Sequence, residues 1–280
     1  MTADNKIRVR QALKKIFPEL SRAEIKGHLE QQNVYCGKKP MGVNSWVLES
    51  EIAQLSIAQI QDQLQGHADL PCQILHSTDD WLFIEKPSQM HSVAQTRQDH
   101  DTVANYLAAL RPEQLQIHPL EAGLAHRLDF ETSGVVVAGK NKQAYEFLRD
   151  QFSKNKVEKI YHCVATGEAL ELGVYQAYQL LKSKGSDQVY LSFEEEEGAL
   201  KVVTEIIAAE LCDQGIRYQL RLITGRRHQI RAHLALLGSP LLGDELYGGK
   251  SADRLYLHAS ELGVPDEQGE VTWVESNVPF

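Results

Sequence analysis

The chain has 280 residues, more than the commonest domain size, so one large domain or two unequal domains are expected. Apolar residues make up 42% of it, enough to bury a core, and no segment approaches the ~18 apolar residues of a membrane span. The net charge of −9 argues against unspecific nucleic-acid binding, and the polar start MTADNKIRVR lacks the apolar core of a signal peptide, so a cytoplasmic protein is expected.

The charge is unevenly distributed along the chain. Residues 1–40 contain nine Lys/Arg against four Asp/Glu, a net charge of +5, which leaves −14 for residues 41–280. A basic end on an acidic body is typical of an attached nucleic-acid-binding module, although a solvated helix face would give the same pattern.

The first part of the chain predicts a compact unit of two helices and a hairpin. IRVRQALKKIF predicts a helix that ends near Pro18, and SRAE at Ser21 is a capping box for a second helix that carries Ile25 and Leu29 on one face. NVYCGKK then predicts a strand running into a Gly turn, with SWVLESEI as its partner. A polar linker is expected over 58–71, AQIQDQLQGHADLP.

The remainder predicts an α+β domain around a largely antiparallel sheet. Strands are expected in QILHSTDDWLFIEKP, GVVVAGK and KIYHCVATG, and a hairpin in ELCDQGIRYQLRLIT. Helices are expected in DTVANYLAAL, capped by Asp101, and in NKQAYEFLRDQF.

No metal site or disulfide framework is expected. The four cysteines are widely spaced and form no Cys-x-x-Cys pair. His228 and His233 are five residues apart, so they do not share the helix face that two metal ligands would need.

Two stretches carry candidate chemistry. HRLDFETSG, residues 126–134, places Arg127 and Asp129 in a loop just before a buried strand, where either a solvated ion pair or a catalytic carboxylate is plausible. TGRRHQIRAHLALLGSP, residues 224–240, predicts a helix that begins near Thr224–Gly225. Its N-terminus would carry Arg226, Arg227 and His228, whose charges oppose the helix dipole. A nearby anion, either Asp129 or a phosphate, would resolve that conflict, and a neighbouring guanidinium would lower the pKa of Asp129.

These motifs together resemble the RluA-type pseudouridine synthases. HRLDFETSG is similar to the family's His-Arg-Leu-Asp-x-x-Thr-Ser-Gly signature, and EKP, KIYHCVATG, TGRRHQIRAHLALLGSPLLGDELYG and RLYLHASEL follow in the family's order. The resemblance implies a pseudouridine synthase catalytic domain over 72–280. Residues 1–68 resemble, more weakly, the small α/β alpha-L RNA-binding domain, chiefly at LSRAEIKGHLEQQNVYCGKK.

The resemblance also implies roles for individual residues. Asp129 would be the nucleophile that detaches uracil from its ribose for rejoining through carbon 5, without a cofactor; whether it attacks the sugar or the base, or acts as a base, stays open. Arg226 would pair with Asp129, Tyr161 would stack on the target uracil and take part in proton transfer, and Leu257 would form an apolar wall. Arg127 would fill the gap left when the nucleotide flips out of the RNA.

The expected partner is RNA, with large-subunit ribosomal RNA favoured and transfer RNA second, and the expected state is a monomer. The RNA-binding residues are expected at Arg127, Arg227, Arg231, Lys26, Lys38 and Lys39. Two alternatives remain: an RNA-binding or RNA-folding protein for which modification is incidental, and a hydrolase of free nucleosides. The absence of a second candidate carboxylate beside Asp129 argues against two-acid glycoside hydrolysis.

Overall fold

A computed structural model describes residues 5–18, 20–30, 33–57, 63–180 and 188–280. The chain divides into two compact units, residues 1–62 and 63–280. Part of the linker expected over 58–71, residues 58–62, lies outside the described residues. Its remainder belongs to the larger unit, where Leu64 and Leu70 are buried in the core.

The smaller unit contains two short helices and five three-residue strands. They are β1 (Lys6–Arg8), α1 (Val9–Ile16), α2 (Arg22–Glu30), β2 (Val34–Cys36), β3 (Lys39–Met41), β4 (Trp46–Leu48) and β5 (Leu55–Ile57). The apolar faces of both helices pack into one core, with Leu13, Ile25 and Leu29 almost fully buried. Ser21 and Glu24 form the predicted capping box: each side chain accepts a hydrogen bond from the other's backbone N–H.

The strand pairing in this unit differs from the sequence prediction. SWVLESEI was expected to pair with NVYCGKK, but its strand β4 pairs with β1, and β2 pairs with β3 and β5. Gly37 adopts a left-handed conformation (φ 60°) and, with Lys38, makes a two-residue turn, so that Cys36 faces Lys39. This tight hairpin places β3 on one edge of β2, and β5 occupies the other edge, so no edge of β2 is left for β4.

The larger unit is built on one ten-stranded sheet. Its strands are β6 (Gln73–Ser77), β7 (Trp81–Lys86), β8 (Ser133–Gly139), β9 (Glu158–Ala165), β10 (Gly173–Gln179), β11 (Leu191–Ser192), β12 (Leu200–Cys212), β13 (Gly215–Leu222), β14 (Leu257–Pro265) and β15 (Val271–Glu275). Their order is β11-β10-β12-β13-β9-β14-β8-β7-β6, with β15 paired to β14. Among these described strands only β8 and β14 run parallel, so the expected α+β class with a largely antiparallel sheet is confirmed.

The described part of this unit contains three α-helices: α3 (Val103–Leu110), α4 (Lys142–Ser153) and α5 (Gln229–Leu236). The cap of α3 is Thr102 rather than Asp101, because Thr102 and Asn105 bond reciprocally as a capping box. Helix α5 begins at Gln229, later than predicted, because His228 adopts a left-handed conformation (φ 52°) and ends the loop before it. None of the helices described is long and apolar enough to cross a membrane.

The sheet is covered on both faces at its centre. Leu82, Ile84 and Val136 point into one apolar cluster, and the alternate residues Phe83 and Val137 point into a second. All seven residues of β8 are buried, as the uninterrupted apolar run in the sequence predicts. The loop that precedes β8 is therefore fixed to a rigid strand.

The parallel contact of β8 with β14 depends on Gly134. Its φ is 122°, and an added Cβ would overlap the backbone carbonyl oxygen of Ala259 on β14. The two strands begin at the same end of the sheet, so this close approach sets Leu257 at the start of β14 beside the loop that leads into β8.

We expect Gly134→Ala to lower the free energy of unfolding by more than about 3 kcal/mol, because it combines backbone strain with a clash in the sheet. Chemical denaturation of the purified protein measures this. Gly42→Ala is the control, since an added Cβ there meets nothing within 4 Å. Equal losses from the two variants would contradict the assigned role of Gly134.

Candidate active site

A cavity of about 570 Å³ opens in the larger unit between the loop before β8, strand β9, the loop before α5 and the start of β14. Its lining contains six cationic side chains, Arg127, Arg149, Lys159, Arg226, Arg227 and Arg231. Two carboxylates, Glu121 and Asp129, also line it. The cavity is therefore positively charged within a chain whose net charge is −9. Such a concave basic site favours an anionic ligand.

Asp129 lies in a loop whose backbone is fixed at several points. His126 Nε2 accepts the N–H of Val137 at 3.2 Å, and its ring stacks on Phe152 at 4.3 Å. Ser92 Oγ accepts the N–H of Leu128 and donates to its carbonyl, both at 3.0 Å. Burial lowers the pKa of His126 to about 3, so its ring is neutral and suited to the acceptor role. The loop is thus positioned before any ligand binds.

Lys86, the lysine of EKP, fixes the far side of the same loop. Its side chain is fully buried, and Nζ donates to the carbonyls of Pro87, Met90 and Phe130 at 2.9, 2.7 and 3.2 Å. Burial lowers its pKa to about 8, while the charge of Asp129 acts in the opposite direction. Lys86 therefore supplies a buried positive charge behind Asp129 and also anchors the residue after it.

The carboxyl of Asp129 is mostly buried, with 27% of its side chain exposed. Burial raises its pKa above the usual Asp range, and the charge of Glu131 adds to this effect. His228, Arg231 and Arg127 act in the opposite direction. The sequence-based expectation was a lowered pKa; the structure differs because desolvation outweighs the neighbouring cations.

The side chain of His228 lies next to the carboxyl of Asp129, with Nε2 3.9 Å from Oδ1. Its Nδ1 lies 3.0 Å from the hydroxyl of Tyr247, which also accepts the N–H of Val189 at 2.7 Å. Burial lowers the pKa of His228, which favours the neutral ring. The hydroxyl of Tyr247 and both ring nitrogens of His228 all have a hydrogen-bonding role if Tyr247 donates to Nδ1 and the imidazole proton is on Nε2, facing Asp129.

Arg231 forms a buried ion pair that differs from its expected role in binding RNA. Its Nε and Nη2 donate to the two carboxylate oxygens of Asp244 at 2.7 and 2.8 Å, and Nη1 contacts Glu131 Oε2 at 3.2 Å. Asp244 has no exposed side-chain surface, whereas 44% of the Glu131 side chain is exposed. Arg231 thus joins α5 to the loop just beyond Asp129.

Arg226 was expected to pair with Asp129, and the structure differs here. Among the described residues, Arg226 and Asp129 make no ion pair within 4.0 Å. In the segment TGRRHQIR, Arg231 is the arginine whose charge lowers the pKa of Asp129. The backbone N–H of Arg226 donates to Gln229 Oε1 at 3.1 Å, and Gln229 Nε2 donates to the carbonyl of Val203 at 3.0 Å. These bonds fix the turn so that Arg226 lines the cavity with an exposed side chain.

The other predicted residues of the larger unit also line the cavity. Arg127 and Arg227 are exposed, while Tyr161 and Leu257 are buried at 8% and 3% exposure. Burial, aided by the charge of Asp129, raises the pKa of Tyr161, so its phenol stays protonated at neutral pH. The cavity thus has an aromatic ring and an apolar wall beside its carboxylate.

Lys26, Lys38 and Lys39 lie in the smaller unit, and all three are exposed. Lys26 pairs with Glu30 at 3.4 Å on the surface of α2. Lys38 lies in the turn between β2 and β3, and Lys39 is the first residue of β3. Their role in binding RNA stays a prediction.

Three residues at or around the cavity were missed by the sequence reasoning. His228 had been considered as a metal ligand and as one of three cations at the helix N-terminus, but it was given no role of its own in the site; Lys86 and Lys159 had been considered only as parts of a motif. For His228 the signal was available, because the motif places it next to the cations near Asp129. For the two lysines the informative feature is burial, which no local pattern revealed.

In the residues described, no group of three or more side chains is arranged to hold a metal ion, and the four cysteines are free.

Comparison with known proteins identifies the class of protein to which this geometry belongs. The family described as RNA pseudouridylate synthase matches residues 80–236, which include β8, β9 and the segment into α5. The chain belongs to this family, and it is an isomerase that acts on RNA.

Curated relatives are similar over most of the chain. It is 30% identical over 245 residues to the ribosomal large subunit pseudouridine synthase D of Haemophilus influenzae, covering 87% of this chain and 74% of that protein. The enzyme with the same description from Vibrio vulnificus is 32% identical over 258 residues, covering 91% and 76%.

Solved structures agree on the fold. Human RNA pseudouridylate synthase domain containing 1 superposes with a TM-score of 0.59 at 24% identity, covering 78% of this chain and 87% of that one. Human RNA pseudouridylate synthase domain containing 4 gives 0.57 at 22% identity, covering 74% and 88%.

We expect Arg231→Met to lower the free energy of unfolding by about 3–5 kcal/mol, because it leaves the carboxylate of Asp244 buried without a partner. The double variant Arg231→Met/Asp244→Asn should lose less than the sum of the single losses, since it removes both charges. Chemical denaturation measures all three variants. Arg221→Met is the control: its ion pairs with Glu158 and Glu205 are partly exposed and should contribute only about 0–1 kcal/mol. Additive losses would contradict the coupling.

Proposed function

We propose that this enzyme converts specific uridines of large-subunit ribosomal RNA into pseudouridine, with Asp129 as the nucleophile. The observation that carries the proposal is a carboxylate held in a cavity lined by six cations, beside the buried ring of Tyr161. The two bacterial relatives are described as large-subunit ribosomal enzymes, which favours ribosomal RNA over transfer RNA. We further propose that it acts as a monomer in the cytoplasm and needs no cofactor.

The chemistry proposed is an exchange of bonds within one nucleotide. The bond between uracil N1 and the ribose breaks, the base turns, and a bond from C5 to the ribose forms; C5 loses a proton and N1 gains one. Asp129 bonds transiently to the nucleotide, at the sugar or at the base, and this bond breaks again when the C5 bond forms, which returns the free carboxylate. Burial raises the pKa of this carboxyl, while the nearby charges of His228, Arg231 and Arg127 favour the ionised form that a nucleophile needs.

The substrate base must leave the RNA stack to reach Asp129, because the carboxyl lies within a cavity. In the proposed complex Tyr161 stacks on the extruded uracil and its protonated phenol takes part in proton transfer, while Leu257 covers the apolar side. The exposed guanidinium of Arg127, two residues from Asp129, enters the space that the nucleotide vacates.

The remaining cations are assigned by their exposure. Arg226 and Arg227 are exposed at the cavity, where they would contact RNA phosphates. Arg231 is buried, so its part is to hold Glu131 and α5 in place around Asp129. The smaller unit is proposed to act as an alpha-L-type RNA-binding domain through Lys26, Lys38 and Lys39.

Two-acid glycoside hydrolysis of nucleosides fits the cavity less well. Glu131, the carboxylate nearest in sequence, is engaged by Arg231 and does not line the cavity. Glu121 lines it but accepts a hydrogen bond from the hydroxyl of Tyr145 at 2.6 Å. A hydrolase of free nucleosides would also have no use for the exposed arginines.

The first experiment is pseudouridine mapping of total RNA from cells that carry the wild-type gene or Asp129→Asn. We expect one or a few uridines of large-subunit ribosomal RNA to lose modification in the variant. The amide should fold normally, because burial already disfavours the charged carboxylate. Asp79→Asn, an exposed carboxylate outside the cavity, should leave the map unchanged.

Other results of the mapping select among the alternatives. Loss of modification in transfer RNA would show that transfer RNA, not ribosomal RNA, is the substrate, and the proposed chemistry would still hold. A map unchanged by Asp129→Asn would overturn the catalytic role and favour an RNA-binding protein.

The pH dependence of kcat/KM gives a second test. The nucleophile must be ionised, so activity should fall as the pH drops through the pKa of Asp129, above the ~3.9 of a free Asp side chain. Arg127 holds that pKa down, so Arg127→Gln should move the acid limb to higher pH. Arg97→Gln, an exposed arginine outside the cavity, is the control. A limb that stays in place, or moves to lower pH, would contradict the role of Arg127.

A further inference from the structure

Lys159 is a buried cation that has no hydrogen-bond or ion-pair partner among the described residues. It lies on β9, is 6% exposed and lines the cavity. Its Nζ makes no hydrogen bond and no ion pair with any residue in the described part of the chain, whereas Lys86, which is fully buried, donates to three carbonyls. Partial desolvation of an ammonium without a compensating partner is unfavourable, so folding alone does not explain why Lys159 lines the cavity.

The carboxylate that acts on Lys159 is engaged elsewhere. Glu158 is the one charge that opposes the burial effect on the pKa of Lys159, which is lowered to about 8. The side chain of Glu158 is exposed and pairs with Arg221 at 3.4 Å. Among the described residues, no carboxylate lies within 4.0 Å of Lys159 Nζ, and the two that line the cavity, Glu121 and Asp129, make their contacts with other groups.

The surroundings of Lys159 add positive charge. Lys159 and Arg149 both act electrostatically on the neutral ring of His126, which places the two cations on the same side of the cavity. Across from them, a Cβ on Gly225 would lie 3.6 Å from Lys159 Nζ, so the backbone just before Arg226 comes close to the amine. This part of the cavity is built to receive an anion that the protein does not contain.

We propose that Lys159 binds a backbone phosphate of the RNA next to the extruded uridine; this rests on the proposed function. Phosphodiesters are the anionic groups of RNA, and a lysine ammonium binds them as a point charge. Lys159 and Tyr161 line the same cavity from one strand. They are two residues apart, so about 7 Å separates them along β9. A base stacked on Tyr161 would thus bring a neighbouring phosphate within reach of Lys159.

Burial gives this contact a different role from those of the exposed arginines. Arg127, Arg226 and Arg227 are accessible to RNA at the surface, but Lys159 becomes accessible to a phosphate only after the nucleotide has entered the cavity. Lys159 therefore stabilises the flipped state rather than the first encounter complex.

The test compares wild type, Lys159→Met, Lys159→Arg and Lys142→Met. Lys142 is an exposed lysine of α4 that pairs with Glu146 and does not line the cavity. The probe is a synthetic hairpin that carries the uridine identified by the mapping, made with its natural phosphates or with one uncharged methylphosphonate at each linkage around that uridine. Kd is measured over a range of salt concentrations, and kcat/KM on the natural hairpin.

We expect Lys159→Met to weaken binding by roughly 10-fold to 100-fold and to reduce the salt slope by about 1. One methylphosphonate should weaken binding by wild type but not by Lys159→Met. Lys159→Arg should recover most of the affinity, and Lys142→Met should behave as wild type. The denaturation midpoint of Lys159→Met should equal or exceed that of wild type, because an unpaired buried charge has been removed.

An unchanged salt slope, or a methylphosphonate effect that persists in Lys159→Met, would overturn the phosphate site while the wild-type enzyme remains active. A lowered midpoint, or failure of Lys159→Met to fold, would also overturn it and assign Lys159 to the fold. A wild-type protein that modifies no RNA would instead overturn the proposed function itself.

Discussion

The buried guanidinium of Arg231 is the interaction on which the arrangement of the site depends. Both of its edges are used: one binds the two oxygens of Asp244, and the other reaches Glu131. The guanidinium thereby connects three segments of the chain: α5, the loop after Asp129 and the segment that contains Asp244. Because a planar guanidinium offers donors in fixed directions, the pairs set orientation as well as proximity. The start of α5, and with it His228, is held against the loop of Asp129.

Opposed electrostatic effects meet at Asp129. Burial favours its neutral acid form, while His228, Arg231 and Arg127 favour the anion. Burial is the larger effect, so the pKa is raised, while the surrounding positive charge supports the anion; little water must be displaced before such a weakly solvated group reacts as a nucleophile. The fixed backbone around it, bonded through Ser92 and His126, adds positional order to that state.

Local patterns predicted much of this structure, and the failures share one cause. The buried strand β8, the helix α4 and the capping box at Ser21 follow from periodicity and capping chemistry over a few residues. The neighbours of Asp129 did not follow from such patterns: His228 lies beside it, and Arg231 is held near it through its ion pairs with Asp244 and Glu131. The strand partners in the smaller unit and the unpaired state of Lys159 likewise depend on residues far away in the chain.

The contrast between an acidic chain and a basic cavity has a consequence for how the enzyme searches among RNAs. Beyond a screening length of about 8 Å at physiological salt, a polyanion senses a net charge of −9 and is not attracted. At the larger unit, an RNA gains the attraction of the six cations only if its shape brings a phosphate and a displaced base within that distance. Most encounters would then be brief, and the enzyme would trade capture rate for discrimination between structured sites.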